Sequence, residues 1–62
     1  MSDYIWSLSQ LEELTGHPEP SVQEWAVNKW FFLYPESAQA HLAHFLKDSR
    51  QAVVAAALSA RS

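Results

Sequence analysis

Apolar residues recur along the chain at the three- and four-residue spacing of amphipathic helices, and the pattern of the first half returns in the second half. The first set is Leu11, Leu14, Val22 and Ala26, and its counterparts 31 positions later are Leu42, Phe45, Val53 and Ala57. A fixed period of roughly 20–50 residues is typical of helical repeat arrays. The pattern therefore predicts an all-α fold built from two successive antiparallel helical hairpins.

Capping residues and prolines divide the chain into four predicted helices. These helices begin at or near Ser7, Ser21, Pro35 and Asp48. Each serine and the aspartate is followed three residues later by Gln or Glu, which is the spacing of a capping box. Gly16 is placed to end the first helix, and Pro35 ends the second because the residue before a proline avoids the α region. Residues 2–6 fit either a separate turn or an extension of the first helix.

Composition and charge narrow the classes of protein. The 62 residues are enough for one domain, 48% of them are hydrophobic, and the absence of cysteine excludes a disulfide framework. The net charge is −3, and the four cations are scattered rather than clustered, so we expect neither nucleic-acid binding nor electrostatic attachment to a membrane. No apolar run approaches the roughly 18 residues of a spanning helix. We expect a soluble, cytoplasmic module.

The stretch from Leu8 to Ala60 resembles two HEAT-type repeats, which belong to the α-solenoid class related to armadillo arrays. The resemblance rests on the apolar positions given above, together with Asp48 and Val53 in the second repeat. The family places a valine–arginine pair at the start of the second helix of each repeat, whereas this chain has Gln23 and Val54 in place of the arginine. The resemblance implies a short right-handed α-solenoid in a single domain, with repeat one at about 7–34 and repeat two at about 35–62.

The second helix is apolar on nearly every side. Four of its residues lie within about 80° of one another and are expected to pack on the first helix: Val22, Ala26, Trp30 and Leu33. Other apolar residues cover the remaining sides, among them Phe31 and Phe32. A helix that is apolar all round is normally buried all round. We therefore expect this helix to be enclosed between neighbouring hairpins, with Trp30 in the core.

The fourth helix, at 49–60, is rich in small side chains. Its run AVVAAALSA would let another helix approach closely, which favours self-association through this helix. Alanine is also the best helix former, so the same run is explained by the needs of a short terminal helix. Both interpretations remain open at this point.

Candidate chemistry for catalysis or metal binding is sparse. His41 and His44 lie three residues apart, a spacing at which side chains on a helix can meet, but neither cysteine nor an organised group of carboxylates accompanies them. Glu12 and Glu13 are adjacent in sequence and therefore face different directions. We predict no catalytic residue, no cofactor and no metal site.

The resemblance also suggests where a partner would bind. Second helices of solenoid repeats line a concave surface, and Glu24, Asn28 and Phe31 share the side of the second helix that would face it. An aromatic side chain flanked by polar groups is a suitable anchor for a protein partner. We therefore predict these three residues as a partner-binding patch.

Three functions agree with these observations. The first is a non-catalytic protein–protein interaction or scaffolding module, complete or at the N-terminus of a longer solenoid. The second is a small domain that forms homodimers through the helix at 49–60. The third is part of an enzyme with a HEAT-like fold, such as a lyase or a DNA glycosylase, although the few cations and missing site residues argue against activity in this segment.

Overall fold

The computed structural model describes residues 6–61, and these residues form five helices and no strand. The helices are α1 (Leu8–Thr15), α2 (Pro20–Leu33), α3 (Pro35–Ala40), α4 (Leu42–Leu46) and α5 (Gln51–Arg61). The prediction of an all-α fold is confirmed. The question of residues 2–6 falls almost wholly outside the described part of the chain.

The segment predicted as one third helix is divided at His41, so the four-helix prediction is wrong. His41 has φ −95° and ψ 2°, and its N–H donates to the carbonyl oxygens of both Ser37 and Ala38, at 3.0 and 3.1 Å. The chain resumes helical geometry at once, because the Phe45 N–H donates to the His41 carbonyl at 3.0 Å. At this break the His41 ring packs against Trp30, with 5.0 Å between ring centroids.

The predicted caps agree with the structure at one helix and differ at two. Ser7 forms the expected capping box with Gln10: the Gln10 N–H donates to the serine hydroxyl oxygen at 3.2 Å, and the Ser7 N–H donates to the glutamine oxygen at 3.0 Å. Helix α2 begins at Pro20 rather than after Ser21, because proline is preorganised for the first helical position and has no N–H to satisfy. Asp48 lies ahead of α5 and binds Arg50 rather than capping with Gln51.

The core is centred on α2, which packs against α1, α3 and most extensively α5, while α4 also packs on α5. Trp30 is buried as expected, and its indole N–H donates to the Ser37 hydroxyl at 3.2 Å. The buried apolar side chains come from every helix: Leu11, Ala26, Val27, Trp30, Ala38, Phe45, Val53, Ala56 and Ala57. The apolar positions that recur between the two halves of the chain thus supply much of this core.

The turn that follows α1 and the turn that follows α4 have the same local geometry. Gly16 has φ −90° and ψ 1°, and Lys47, its counterpart in the sequence repeat, has φ −92° and ψ −1°. Gly16 ends α1 as expected, but it does so with an ordinary negative φ that any residue adopts. Glycine is therefore not required at this turn.

The hydrogen bonds of the two turns also correspond. In the first turn the Glu19 N–H donates to His17 Nδ1 at 3.0 Å. In the second turn the Arg50 N–H donates to an Asp48 carboxylate oxygen at 2.8 Å. An imidazole nitrogen and a carboxylate oxygen thus accept the corresponding backbone proton at equivalent positions, so the sequence repeat is also a repeat of local structure.

Candidate interaction surface on helix α2

The three residues predicted as a partner-binding patch do not have the same environment. Glu24 and Asn28 are exposed on α2. Phe31 is half-buried, packs against the core, and lies with its ring centroid 6.0 Å from that of Phe45. The structure therefore places two polar side chains at the surface and holds the aromatic one partly in the core, while their role in binding stays a prediction.

The exposed aromatic residue of α2 is Phe32, which is 77% exposed. It lies about 200° around the helix from Trp30, which is 2% exposed, so the two side chains point to opposite sides. The expectation that α2 is buried all round is wrong on the Phe32 side, because the helices that pack on α2 leave this side open.

Phe32 lies at one end of a surface groove of about 330 Å³ that is lined by Trp25, Asn28, Lys29 and Phe32. Their spacing of three, four and seven residues aligns them along one side of the helix. The Lys29 ammonium lies 5.5 Å from the centroid of the Phe32 ring, within the range of a cation–π interaction. The groove thus combines two aromatic side chains with one amide and one positive charge.

Trp25 is held in place from the N-terminal side of the chain. The Trp6 ring meets it edge to face, with 5.0 Å between centroids and 79° between ring planes. The backbone at Trp6 is in turn fixed because the Tyr34 hydroxyl donates to the Trp6 carbonyl oxygen at 2.7 Å. Trp6 thus packs against the Trp25 wall of the groove and is itself tied to the C-terminal end of α2 through Tyr34.

A second surface with apolar character lies on α5. Leu58 is 43% exposed, Val54 is half-buried, and Ala55 is exposed. Val54 and Leu58 are four residues apart and therefore adjacent on the helix surface. This is the helix for which the sequence left self-association open.

The charged groups that interact most closely belong to the turn before α5 and not to either surface. The Arg50 guanidinium binds both carboxylate oxygens of Asp48, at 2.8 and 2.6 Å. These hydrogen bonds lower the pKa of the Asp48 carboxyl from 3.8 to about 2, and they raise the pKa of Arg50. Arg50 also donates to the carbonyl oxygen of Thr15. The sequence reasoning missed this role of Arg50, although an acid and a base two residues apart in a turn were a visible signal.

Gln23, which stands where the HEAT-type pattern has an arginine, has a structural role. It is 6% exposed, and its amide group donates to the carbonyl oxygen of His17 in the turn before α2.

In residues 6–61 no group of three or more His, Cys, Asp or Glu side chains is arranged to hold a metal ion, and the His41 and His44 rings lie 5.9 Å apart. None of the helices in this part of the chain has the length and apolar character needed to cross a bilayer.

Comparison with protein-family models, curated proteins and solved structures found no match to this chain.

Proposed function

We propose that this chain is a non-catalytic protein–protein interaction module built from two HEAT-like repeats. In this proposal α1 with α2 forms the first hairpin, α3 and α4 with α5 form the second, and the hairpins stack through α2 and α5 as a short right-handed α-solenoid. The matching turns at Gly16 and Lys47 and the extensive α2–α5 contact support this arrangement. The absence of cysteine from the sequence agrees with a cytoplasmic location.

The observation that carries the proposal is the 77% exposure of Phe32 beside Trp25. Exposing a phenylalanine to water costs free energy that is recovered when a partner covers it, at roughly 25 cal/mol per Å² of apolar surface. Aromatic side chains that enter a desolvated contact commonly dominate the energy of an interface. Lys29 adds a positive charge at the edge of the groove, so a partner with a carboxylate at that position would fit well.

The predicted patch of Glu24, Asn28 and Phe31 adjoins this groove and shares Asn28 with it. We propose that a protein partner covers the groove and also contacts Glu24 beside it. Phe31 then contributes mainly to the packing of α2 against the core, because its ring already packs against Phe45.

The test is site-specific photo-crosslinking. Phe32 is replaced by p-benzoylphenylalanine, and Gln39, which is exposed on α3, is replaced in a matched control. The proteins crosslinked at position 32 and not at position 39 are identified, purified and measured for binding to the unmodified chain. We expect Phe32→Ala and Lys29→Glu to weaken such binding by at least about tenfold. Equal crosslinking at both positions, or affinities unchanged by both substitutions, would refute the role of the groove.

A second candidate function is homodimerisation through α5, and the exposed Leu58 favours it. In such an isologous dimer the same α5 surface from both copies would meet across a two-fold axis. Light scattering would show a mass that levels off at two chains as the concentration rises, and Leu58→Glu would abolish this while Phe32→Glu would not.

A further inference from the structure

Helices α2 and α5 are counterparts in the sequence repeat and share one buried side, yet they differ on the two sides next to it. Val27 is fully buried on α2, whereas its counterpart Leu58 is 43% exposed on α5. The neighbouring pair differs in the same direction, because Gln23 is 6% exposed and its counterpart Val54 is only half-buried. The side of α2 that carries Gln23 and Val27 is therefore covered within the chain, and the corresponding side of α5 is more exposed.

The opposite sides of the two helices show the reverse difference. Ala56 is 4% exposed on α5, whereas its counterpart Trp25 is half-buried and lines the groove on α2. Helices α2 and α5 pack on each other, and at these positions the residue of one helix is buried where its counterpart on the other helix is more exposed. The chain thus has two different open ends, the α5 surface of Val54 and Leu58 and the α2 groove of Trp25 and Phe32.

We propose that these two ends bind each other between chains, so that α5 of one copy seats on the α2 groove of a second copy. The proposal rests on the proposed repeat architecture and extends the contact between α2 and α5 found inside the chain. The two ends also match in chemistry, because the branched aliphatic side chains of Val54 and Leu58 would fill a groove with aromatic walls. The contact joins unlike surfaces, so copies add head to tail and form an open chain unless the rotation between them closes a ring.

The first measurement is the weight-average mass of the chain by sedimentation equilibrium over a wide range of concentration. Head-to-tail addition predicts a mass that rises continuously beyond two chains of 7.0 kDa. A mass that levels off at two chains would overturn open-ended head-to-tail addition. A single-chain mass at every concentration would overturn self-association altogether.

Two variants that each block one end provide the decisive test. Leu58→Glu leaves the α2 groove intact, and Phe32→Glu leaves the α5 surface intact. Both positions are exposed and glutamate favours helix, so circular dichroism should show unchanged folding. Every head-to-tail contact needs one end of each kind, so each variant alone should associate at least about thirtyfold more weakly than the unmodified chain.

Mixing the two variants in equal amounts should restore association and stop it at two chains. The intact α5 surface of the Phe32→Glu chain then meets the intact groove of the Leu58→Glu chain, and both remaining ends are blocked. An isologous α5 contact predicts instead that Phe32→Glu associates alone and that Leu58→Glu never joins it.

Failure of this proposal can be told apart from failure of the proposed function. If the chain stays monomeric but position 32 crosslinks specifically to another protein whose binding depends on Phe32, the interaction module stands and the head-to-tail contact falls. If mixing restores a pair of chains but no other protein is captured at position 32, the groove serves self-association alone.

Discussion

Arg50 joins the two turns of the molecule, because its guanidinium donates a hydrogen bond to the carbonyl oxygen of Thr15, which lies 35 residues earlier at the end of α1. The same guanidinium holds Asp48 in its own turn. The C-terminal carbonyls of a helix have no partner within the helix and carry partial negative charge, so an arginine is well suited to this position. One side chain thus ties the start of α5 to the end of α1.

We predict that Arg50→Lys lowers the free energy of unfolding by about 1 kcal/mol, because a lysine cannot bind both oxygens of Asp48 and reach Thr15 as well. For a domain of this size the loss corresponds to a midpoint lower by roughly 4–8 °C. Thermal unfolding followed by circular dichroism measures it. Arg61→Lys, at the exposed end of α5, is the matched control and should change stability by less than about 0.5 kcal/mol. Equal effects at both positions would contradict the role given to Arg50.

The Asp48–Arg50 pair also predicts how stability depends on pH. The pKa of Asp48 is about 2 in the folded chain and near 3.8 when unfolded, so the unfolded state binds more protons between these values. The stabilisation of the folded chain by the ionised Asp48 carboxylate is complete above about pH 4 and is lost as the pH falls towards 2. Because Asp48 and Arg50 are 19% and 38% exposed, solvent screening limits it to about 1 kcal/mol.

Denaturant unfolding of the unmodified chain and of Asp48→Asn at several values between pH 5 and pH 2 tests this prediction. Asparagine can still accept the Arg50 N–H, so the turn is kept while the titrating group is removed. The difference in stability between the two proteins should shrink by about 1 kcal/mol across this range. A constant difference would show that the ion pair contributes nothing to folding.

Gly16 and Lys47 offer a matched pair of substitutions at equivalent positions of the two turns. A Cβ added at Gly16 would lie 3.4 Å from the Glu13 carbonyl oxygen and 4.0 Å from the Arg50 guanidinium, which are ordinary contact distances. Since the backbone there suits any residue, Gly16→Ala should stabilise the chain by about 0.5 kcal/mol through a smaller entropy of the unfolded state. Lys47→Gly should destabilise it by a similar amount. Chemical denaturation measures both, and a destabilising Gly16→Ala would contradict the equivalence of the turns.

Much of the core could be predicted from the sequence because the apolar spacing alone identifies it. Leu11, Trp30 and Val53 are all buried at positions where helical periodicity placed them. The break at His41 could not be predicted in this way, since the spacing of apolar residues continues through it. The contact between the His41 ring and Trp30 at the break is likewise not visible in that spacing.

The exposed side of α2 could not be read from the pattern for a different reason. The sequence of a helix that is apolar on every side does not show which side the neighbouring helices leave exposed. Phe31 and Phe32 are the same type of residue, so hydrophobicity does not distinguish them. The position of the neighbouring helices decides between them: Phe31 lies towards Phe45, and Phe32 lies towards solvent. We therefore propose Phe32 as the anchor on the basis of the packing, while the predicted binding role of Phe31 stays a prediction.

The two adjacent phenylalanines give the last prediction, because truncating each should affect a different property. Phe31→Ala removes a half-buried ring from its contact with Phe45 and should lower the free energy of unfolding by about 2 kcal/mol, roughly half the cost of a fully buried phenylalanine. Phe32→Ala removes a ring that is 77% exposed and should change stability by less than about 0.5 kcal/mol. In an association assay on the folded molecules, Phe32→Ala should weaken association more than Phe31→Ala does. If Phe31→Ala leaves stability intact and abolishes association while Phe32→Ala does neither, the anchor is Phe31, and the partner contacts the side of α2 that carries Glu24 and Asn28.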